Sequence, residues 1–453
     1  MCFVWGDMRL QKKRSRVNVF IGVNNICGIP AKMSRAFDSL GIKSKVYCIE
    51  DNKQYKKNKN DELLFRLLFS IHEIVKRIYI TKQVNRMILR LVQLVETCLI
   101  LLVFLYSLMH YTHYVYVYAA GLFSVNPFLR RCEWLEFAAL YRLKKKVVIL
   151  CCGSDSRPPY CGKFNGTLSE LKRKTEEISR RVHMMEKYCK IIDNPASSQF
   201  HNKPFINYTC VGNLMETEEI KPFRKQNKHN TNNNRVRVIH APSNTSSKGT
   251  NIIRKIVEEL KDEMYPIEYV EVSGVTHDEL LSKLYTCDIL VNELYSDFPM
   301  SMIDAEAALL GVTSITCGYY ASYYKDDLKV LLPPSILCLP EQLKTNLKKL
   351  ILDDDYRNSQ STRCKEFVEK NWMSEVVVQN VMRILNDDYP SLWEFDPQES
   401  RYIWGASVSK QEVEERVNAL ISKYGVKALC LTNKKELEHM YNQVWCNRRL
   451  HNE

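Results

Sequence analysis

The sequence predicts an α/β chain made of two tandem doubly wound domains followed by a small C-terminal α/β appendage. Short apolar runs alternate with helical stretches, one strand plus one helix takes about 25 to 30 residues, and a polar break splits the alternation into two series. At 453 residues, 45% hydrophobic and 26% charged, core size is not limiting and two or three domains are expected.

The first series spans residues 16–205, after a basic segment 1–15. "RVNVFIGV" reads as a strand closed by Asn24-Asn25 and Cys27-Gly28. A helix follows, with Pro30 in its first turn, apolar positions at Met33, Ala36, Phe37 and Leu40, and Gly41 beyond its end. "KSKVYCI", "YVYVYAA" and "KKVVILCC" supply further strands, so the sheet is expected to be parallel. From Thr97 to Leu129 the chain carries no Asp, Glu, Lys or Arg. Its uninterrupted apolar part, 98–109, falls short of the roughly 20 residues that a spanning helix needs. It reads as a buried helix leading into a core strand.

Residues 225–234, "KQNKHNTNNN", read as an exposed polar loop inside the second series, 206–375. That series runs "RVRVIHAPS", helix 249–261, "IEYVEVSG", helix 277–286, "CDILVNEL", helix 301–310 and "VTSIT". Helical residues 362–386 come next, and 396–453 read as helix, short strand, helix with no assigned role.

Composition excludes several classes. Sixteen cysteines occur without a Cys-x-x-Cys pair, which argues against a zinc ribbon or thioredoxin-like site. "MCFVWGDMRLQKKRSR" has no secretory pattern, so the thiols are expected to be reduced and the chain cytoplasmic. Asn165, Asn207 and Asn244 then match the glycosylation motif by chance. The net charge of +13 is uneven. Residues 1–150 hold 25 Lys and Arg against 10 Asp and Glu, a net +15, and the remainder nets −2. With no recognition helix, RNP-like strand or zinc-finger spacing, nucleic acid is not an expected partner. An anionic membrane surface or a polyanionic substrate is.

Ligands of such sheets bind beyond the carboxyl ends of strands, so residues just after strands are the candidates. In "HAPSNTSSKGTNII", Lys248-Gly249-Thr250 opens a helix; its N–H groups with an ammonium suit a diphosphate, while the plain alternative is a solvated lysine in a capped loop. In "YSDFPMSMIDAEAALLGVTSI", Pro299 and Ser301 lead into a helix whose Glu306 would accept the hydroxyls of a ribose. Asp304 is two residues away, so only one of the pair can face a ligand. In "CCGSDSRPPYCG", Asp155 and Arg157 stand in a Gly- and Pro-shaped loop; the alternative is an internal Asp–Arg brace. Gly28 would let a ligand touch the backbone, or is a plain turn glycine.

Together and in this order, these stretches resemble the GT-B-fold glycosyltransferases, in particular the retaining family-4 group, over about residues 16–390. "NICGIPAKMSRAFDSLGI" looks like the family's glycine turn and first helix, "GSDSRPP" like its His-Gly-Ser-Asp loop, and "HAPSNTSSKGTNII" like its diphosphate loop. "CDILVNELYSDFPMSMIDAEAALLG" resembles its Glu-x7-Glu region, and "RCKEFVEKNWMSEVVVQNVMRIL" its C-terminal helix. The resemblance implies two Rossmann-like domains facing across a cleft: an acceptor-side domain 16–205, a nucleotide-sugar domain 206–375 and a cross-over helix 376–395.

By position it gives Glu306, Lys248 and Asp155 catalytic roles. Donor contacts fall to Gly28, Asn244, Lys248, Gly249, Gly274, His277, Ser301, Met302 and Glu306, with Gly274 to His277 beside the base. Asp155, Arg157 and His113 become acceptor-side residues. It implies a UDP- or GDP-sugar donor, a glycan, lipid-linked or polysaccharide acceptor, and no metal. The basic stretches "LLFRLLFSIHEIVKRIYI", with Arg66, Lys76 and Arg77, "LRRCEWLEF" and "RLKKK" would then hold the chain peripherally at the inner face of an anionic membrane, or are ordinary sheet-covering helices with solvated charges. Three positions depart from the family pattern. Asn244 or Thr245 stands where the loop arginine is expected, Phe298 replaces the first glutamate, with Asp297 as a substitute one residue away or Asp304 as the true second member of the pair, and Cys152 replaces the loop histidine, with His110 or His113 nearby. These departures keep open a non-catalytic binding protein, and a nucleotide-sugar epimerase of similar fold is the third reading.

Overall fold

The computed structural model describes residues 17–49, 62–81, 86–224, 235–324, 332–432 and 434–452. The basic segment 1–15 and the polar loop 225–234 lie outside them. The chain divides into two compact units. Unit 1 holds Met1–Leu150, Lys187–Ile191 and Val381–Asp388, and unit 2 holds the rest.

Unit 1 contains β1 (Asn18–Val23), α1 (Ile29–Ser39), β2 (Lys43–Cys48), α2 (Leu63–Thr81), α3 (Arg86–His110), β3 (His113–Val117), α4 (Glu133–Arg142) and β4 (Lys146–Leu150). β1 pairs in parallel with β2 on one side and β3 on the other, and β3 pairs with β4. The chain thus winds outward both ways from β1, the doubly wound pattern expected. β1 and β3 are buried almost throughout, which explains their unbroken apolar and aromatic runs. Pro30, Met33, Ala36 and Phe37 form the buried stripe of α1, as the sequence spacing predicts.

This core is rich in tyrosine, and each hydroxyl has a partner. Tyr114 donates to Ser107 Oγ at 3.3 Å, and Tyr116 to Glu136 Oε1 at 2.7 Å. Glu136, wholly buried, also accepts from Leu122 N and Phe123 N. Burial pushes its carboxyl up to about 7, although those bonds pull the other way.

The apolar helix departs from expectation. α3 begins at Arg86, well before the apolar run, and only 28% of its most hydrophobic window is buried. Among the described residues it is the one helix long and apolar enough to cross a membrane. Its inward face carries Gln93, Glu96 and Ser107 beside Ile100, Val103 and Phe104, so much of its apolar surface points to solvent.

Unit 2 holds most of α5 (Leu168–Tyr188), the end of β5 (Lys190–Asp193), β6 (Phe205–Asn207), α6 (Thr217–Arg224), β7 (Val236–His240), α7 (Thr245–Lys248), α8 (Thr250–Asp262), β8 (Ile267–Glu271), α9 (His277–Tyr285) and β9 (Ile289–Val291). It continues with α10 (Met302–Leu309), β10 (Thr313–Cys317), α11 (Ala321–Tyr324), β11 (Ile336–Cys338), α12 (Leu343–Leu352), α13 (Asp354–Asn371) and the start of α14 (Ser374–Leu385). The sequence read α13 and α14 as one helical stretch.

Five strands form a parallel sheet in the order β11-β10-β9-β7-β8. Two apolar clusters cover it. Val238, Ile253, Val257, Leu260 and Leu347 belong to one, and Ile239, Leu281, Leu284, Leu290, Ala308 and Trp372 to the other. Gly212 has φ +92°, and a Cβ there would lie 2.1 Å from the buried Trp372 ring, so that close approach requires glycine.

The appendage is helical, not α/β. β12 (Glu394–Phe395) precedes it, and then α15 (Lys410–Tyr424) and α16 (Lys435–Asn452) flank a 3-10 turn at Val426–Leu429 where the sequence reads as a strand. Gly425 at φ 76° and Cys430 at φ 55° turn the backbone away from extension at both ends of that stretch. Ala428, Leu429, Leu431 and Tyr441 pack with Tyr160, Leu171, Ile178 and Phe200, so the segment shares a core with the rest of unit 2. Lys434 anchors it, donating to Ser198 O at 2.7 Å and Pro397 O at 2.9 Å, and burial lowers its ammonium to about 8. Fourteen cysteines, from Cys27 to Cys430, are free thiols.

Candidate functional site

β7 lies between β8 and β9, and the chain leaves it toward opposite sides of the sheet. Such a switch point opens a crevice at the carboxyl ends of the two diverging strands. Three loops reach that end: 241–249 after β7, 272–276 after β8 and 292–301 after β9.

The loop after β7 is built from its own side chains. Asn244 caps α7, accepting from Ser247 N at 2.9 Å, and also takes Lys163 Nζ at 3.3 Å. Gly249, at φ 70°, ends α7 and begins α8. A Cβ there would lie 2.6 Å from Leu294 Cβ, so glycine is needed for space as well as for conformation. Beneath it, His240 Nδ1 donates to Val291 O at 2.8 Å, which leaves Nε2 to accept from Thr250 Oγ1 at 2.9 Å. Burial lowers the pKa of this histidine, so it stays neutral and ties β9 to the first residue of α8.

Lys248 lies at the crevice, but its ammonium is occupied. Nζ is 2.6 Å from Glu293 Oε2 and 3.3 Å from Asn292 Oδ1. Glu293, which the sequence reading passed over, is thus the counter-ion of the proposed phosphate lysine. Its only sequence signal was its place just after β9, two residues past the strand.

Glu306 and Asp304 take separate roles, as their spacing on α10 requires. Asp304 is wholly buried, accepting from Ser301 N and Ser301 Oγ at 2.8 Å, Asn292 Nδ2 at 2.7 Å and Thr316 Oγ1 at 3.1 Å. It is spent on capping the helix, which removes it as the second acidic residue of the Glu-x7-Glu pattern. Met302 is the first residue of α10, behind the Ser301 cap. Glu306 Oε1 instead meets His277 Nε2 at 2.8 Å, the histidine standing at the start of α9 behind a Thr276–Glu279 capping box. Gly274, at φ +72°, turns the loop just before it, with open space where a Cβ would be. Glu219 joins this pair: one donor atom from each of Glu219, His277 and Glu306 lies within 4.8 Å of the others.

Asp297, Phe298, Asp155 and Arg157 form a second cluster in unit 2. Arg157 Nε donates to Asp297 Oδ2 at 2.7 Å, and its Nη2 pairs with the same oxygen. Burial would lower the guanidinium pKa, but the Asp297 carboxylate outweighs it and holds Arg157 charged. Asn194 Nδ2 donates to Asp297 O at 2.7 Å. Asp297 is therefore committed to Arg157 and is no free substitute for the missing glutamate. The Asp–Arg brace joins 157 to 297, not to 155: Asp155 Oδ1 accepts from Cys152 N at 2.9 Å. Phe298 packs edge-on against Tyr208, ring centroids 4.8 Å apart.

Two predicted residues belong to unit 1. Gly28 takes the left-handed N-cap of α1 at φ 71°, so the turn after β1 itself demands glycine. His113 is corrected. It opens β3 at the amino end of the strand, with Nδ1 2.8 Å from Thr112 Oγ1 and Nε2 3.4 Å from Asn386 Oδ1. That is the end of the sheet opposite to where ligands bind, so His113 is a packing residue. His110 stacks on Tyr106 at the exposed end of α3.

No family model matches the chain, and the search of curated proteins gave no match. Solved structures of similar chain course include HepE of Anabaena in complex with UDP, at 12% identity and TM-score 0.45, over 82% of this chain and 100% of that one. Sucrose-phosphate synthase of Thermosynechococcus elongatus is similar at 10% identity and TM-score 0.43, over 82% and 99%. The glycosyltransferase SnogD of Streptomyces nogalater is similar at 12% and 0.39, over 81% and 99%.

Proposed function

We propose that the chain is a glycosyltransferase that takes a sugar from a UDP- or GDP-sugar and passes it, with retention of configuration, to a glycan or lipid-linked acceptor. The observation that carries this reading is the convergence at one switch point of a lysine beside a helix start, Lys248 and Gly249, with a carboxylate beside a turn, Glu306 and Gly274. Lys248 and the first N–H groups of α8 would take the diphosphate and stabilise the charge that develops as the glycosidic bond breaks. Glu306, oriented by His277, would accept the ribose hydroxyls, and the exposed turn at Gly274 would sit beside the base. The leaving group needs no metal in this scheme.

The binding-protein alternative keeps one observation in its favour: the ammonium of Lys248 is already neutralised by Glu293. Two measurements separate the readings. Thermal-shift screening against nucleotide sugars reports donor binding, because a bound ligand stabilises by mass action. Release of UDP or GDP from the donor, lost in Glu306→Ala, reports turnover. Stabilisation without turnover selects the binding protein, an epimerised donor sugar selects the epimerase, and absence of both rejects the nucleotide-sugar reading.

A further inference from the structure

Helix α3 is built inside out. Its most exposed large side chains include Met87, Leu91, Leu94, Leu102, Leu105 and Met109, each at least half exposed. At 100° per residue, the exposed apolar positions fall within an arc of about 140° that runs some 33 Å along the helix. The opposite face holds the polar groups. Glu96, wholly buried, accepts from Asn126 Nδ2 at 2.6 Å and meets His72 Nδ1 of α2 at 2.7 Å. Gln93 Nε2 donates to Tyr79 OH at 3.0 Å. A helix that places its carboxylate and amide against protein and its leucines against solvent is arranged for an apolar neighbour outside the fold. α2 adds Leu63, Leu67 and Ile74, each at least 45% exposed.

The charge around this face selects the neighbour. Arg66, Lys76 and Arg77 on α2 and Arg86 and Arg90 on α3 are exposed, whereas among the described residues of the two helices no carboxylate is. Long cationic side chains beside an apolar stripe let the stripe sink while the charges stay at the level of phosphate groups. A groove of about 370 Å³ between Arg90, Leu91, Leu94 and Phe128 continues the apolar surface. Spanning does not fit the packing. Ile100, Val103 and Phe104 are buried in unit 1, with Phe104 edge-on to Phe123 at 5.1 Å, so one whole side of α3 is committed to protein.

We infer that the α2–α3 pair lies in the plane of an anionic lipid bilayer, its apolar stripe among the acyl chains and its arginines at the headgroups. This inference does not depend on the nucleotide-sugar reading.

The test is co-sedimentation of the full chain with vesicles of phosphatidylcholine alone and with added phosphatidylglycerol. Binding is expected to the mixed vesicles. It should fall about tenfold or more in Leu91→Glu/Leu102→Glu, and fall with rising salt in the parent. Arg86→Glu/Arg90→Glu should lose the preference for phosphatidylglycerol. Far-UV circular dichroism and the melting transition should be unchanged in both variants, since the altered residues are exposed. Three results overturn the inference: no vesicle binding, equal binding by parent and leucine variant, or light scattering showing a dimer that Leu91→Glu/Leu102→Glu dissolves.

Discussion

Replacing Glu293 by glutamine should make the protein bind UDP or GDP more tightly. The carboxylate now lies 2.6 Å from the Lys248 ammonium, and both side chains are largely shielded from solvent, at 13% and 19% exposure. A diphosphate approaching the free side of that ammonium would set its oxygens about 5 Å from Glu293. Two like unit charges at that distance repel by about 3 kcal/mol at an effective dielectric near 20, and by about half that with twofold stronger screening. Glutamine removes the charge and keeps the shape. Titration calorimetry should therefore show affinity for the diphosphate rising by about ten- to two-hundred-fold. Uridine and guanosine, which carry no phosphate, serve as controls and should be unaffected. The gain should shrink at high salt. Unchanged or weaker diphosphate binding in Glu293→Gln, with the fold intact, would refute the placement of the phosphate at Lys248.

Lys248→Ala should weaken diphosphate binding by about 1.5 to 3 kcal/mol, since it removes a charge-assisted contact, and calorimetry reads it directly. Arg157→Ala leaves Asp297 buried and unpaired, and should cost about 3 to 5 kcal/mol in denaturant unfolding; Arg157→Ala/Asp297→Ala should recover part of that loss. Stability should also depend on pH through Glu136. Its folded pKa of about 7 lies above the ordinary carboxyl value of 4.5, so its contribution is complete below pH 4.5 and is lost as pH rises through 7. Between those limits the loss is about 3 kcal/mol, and denaturant midpoints of Glu136→Gln should show a flatter slope over that range.

What could be read in the sequence depended on how local the signal was. β7, β9 and β10 are buried nearly throughout and are dense in apolar and β-branched residues, and α10 is framed by Pro299, Ser301 and Gly311 within a dozen residues. Lys248, Gly249, Ser301 and Glu306 follow from the same logic, since each stands at the carboxyl end of a legible strand or on the helix just after it. The partners that decide their chemistry are distant in sequence. Glu293 is 45 residues from Lys248, and Asp297 is 140 from Arg157. Spacing could not show that one lysine was already paired, or that the Asp–Arg brace would bypass Asp155.

The misreading of α3 has a different physical origin. An apolar run without charges reads as core because burial is the usual destination of leucine, yet hydrophobicity specifies only an apolar neighbour, not which one. The phase of the polar residues carried the missing information. Gln93, Glu96 and Ser107 recur on one face of α3, and had the core claimed the leucines, these three would have faced water without strain. Their burial, with Glu96 held by His72 and Asn126, means that unit 1 uses specific hydrogen bonds to fix the polar side of α3. Cutting that network tests this directly. Glu96→Ala should free Asn126 and His72 and loosen α3 from unit 1, seen as faster amide exchange along Leu94–Leu105. Introducing glutamate at Leu102 on the other face should leave exchange unchanged, because in the absence of a bilayer that face touches nothing whose loss would matter.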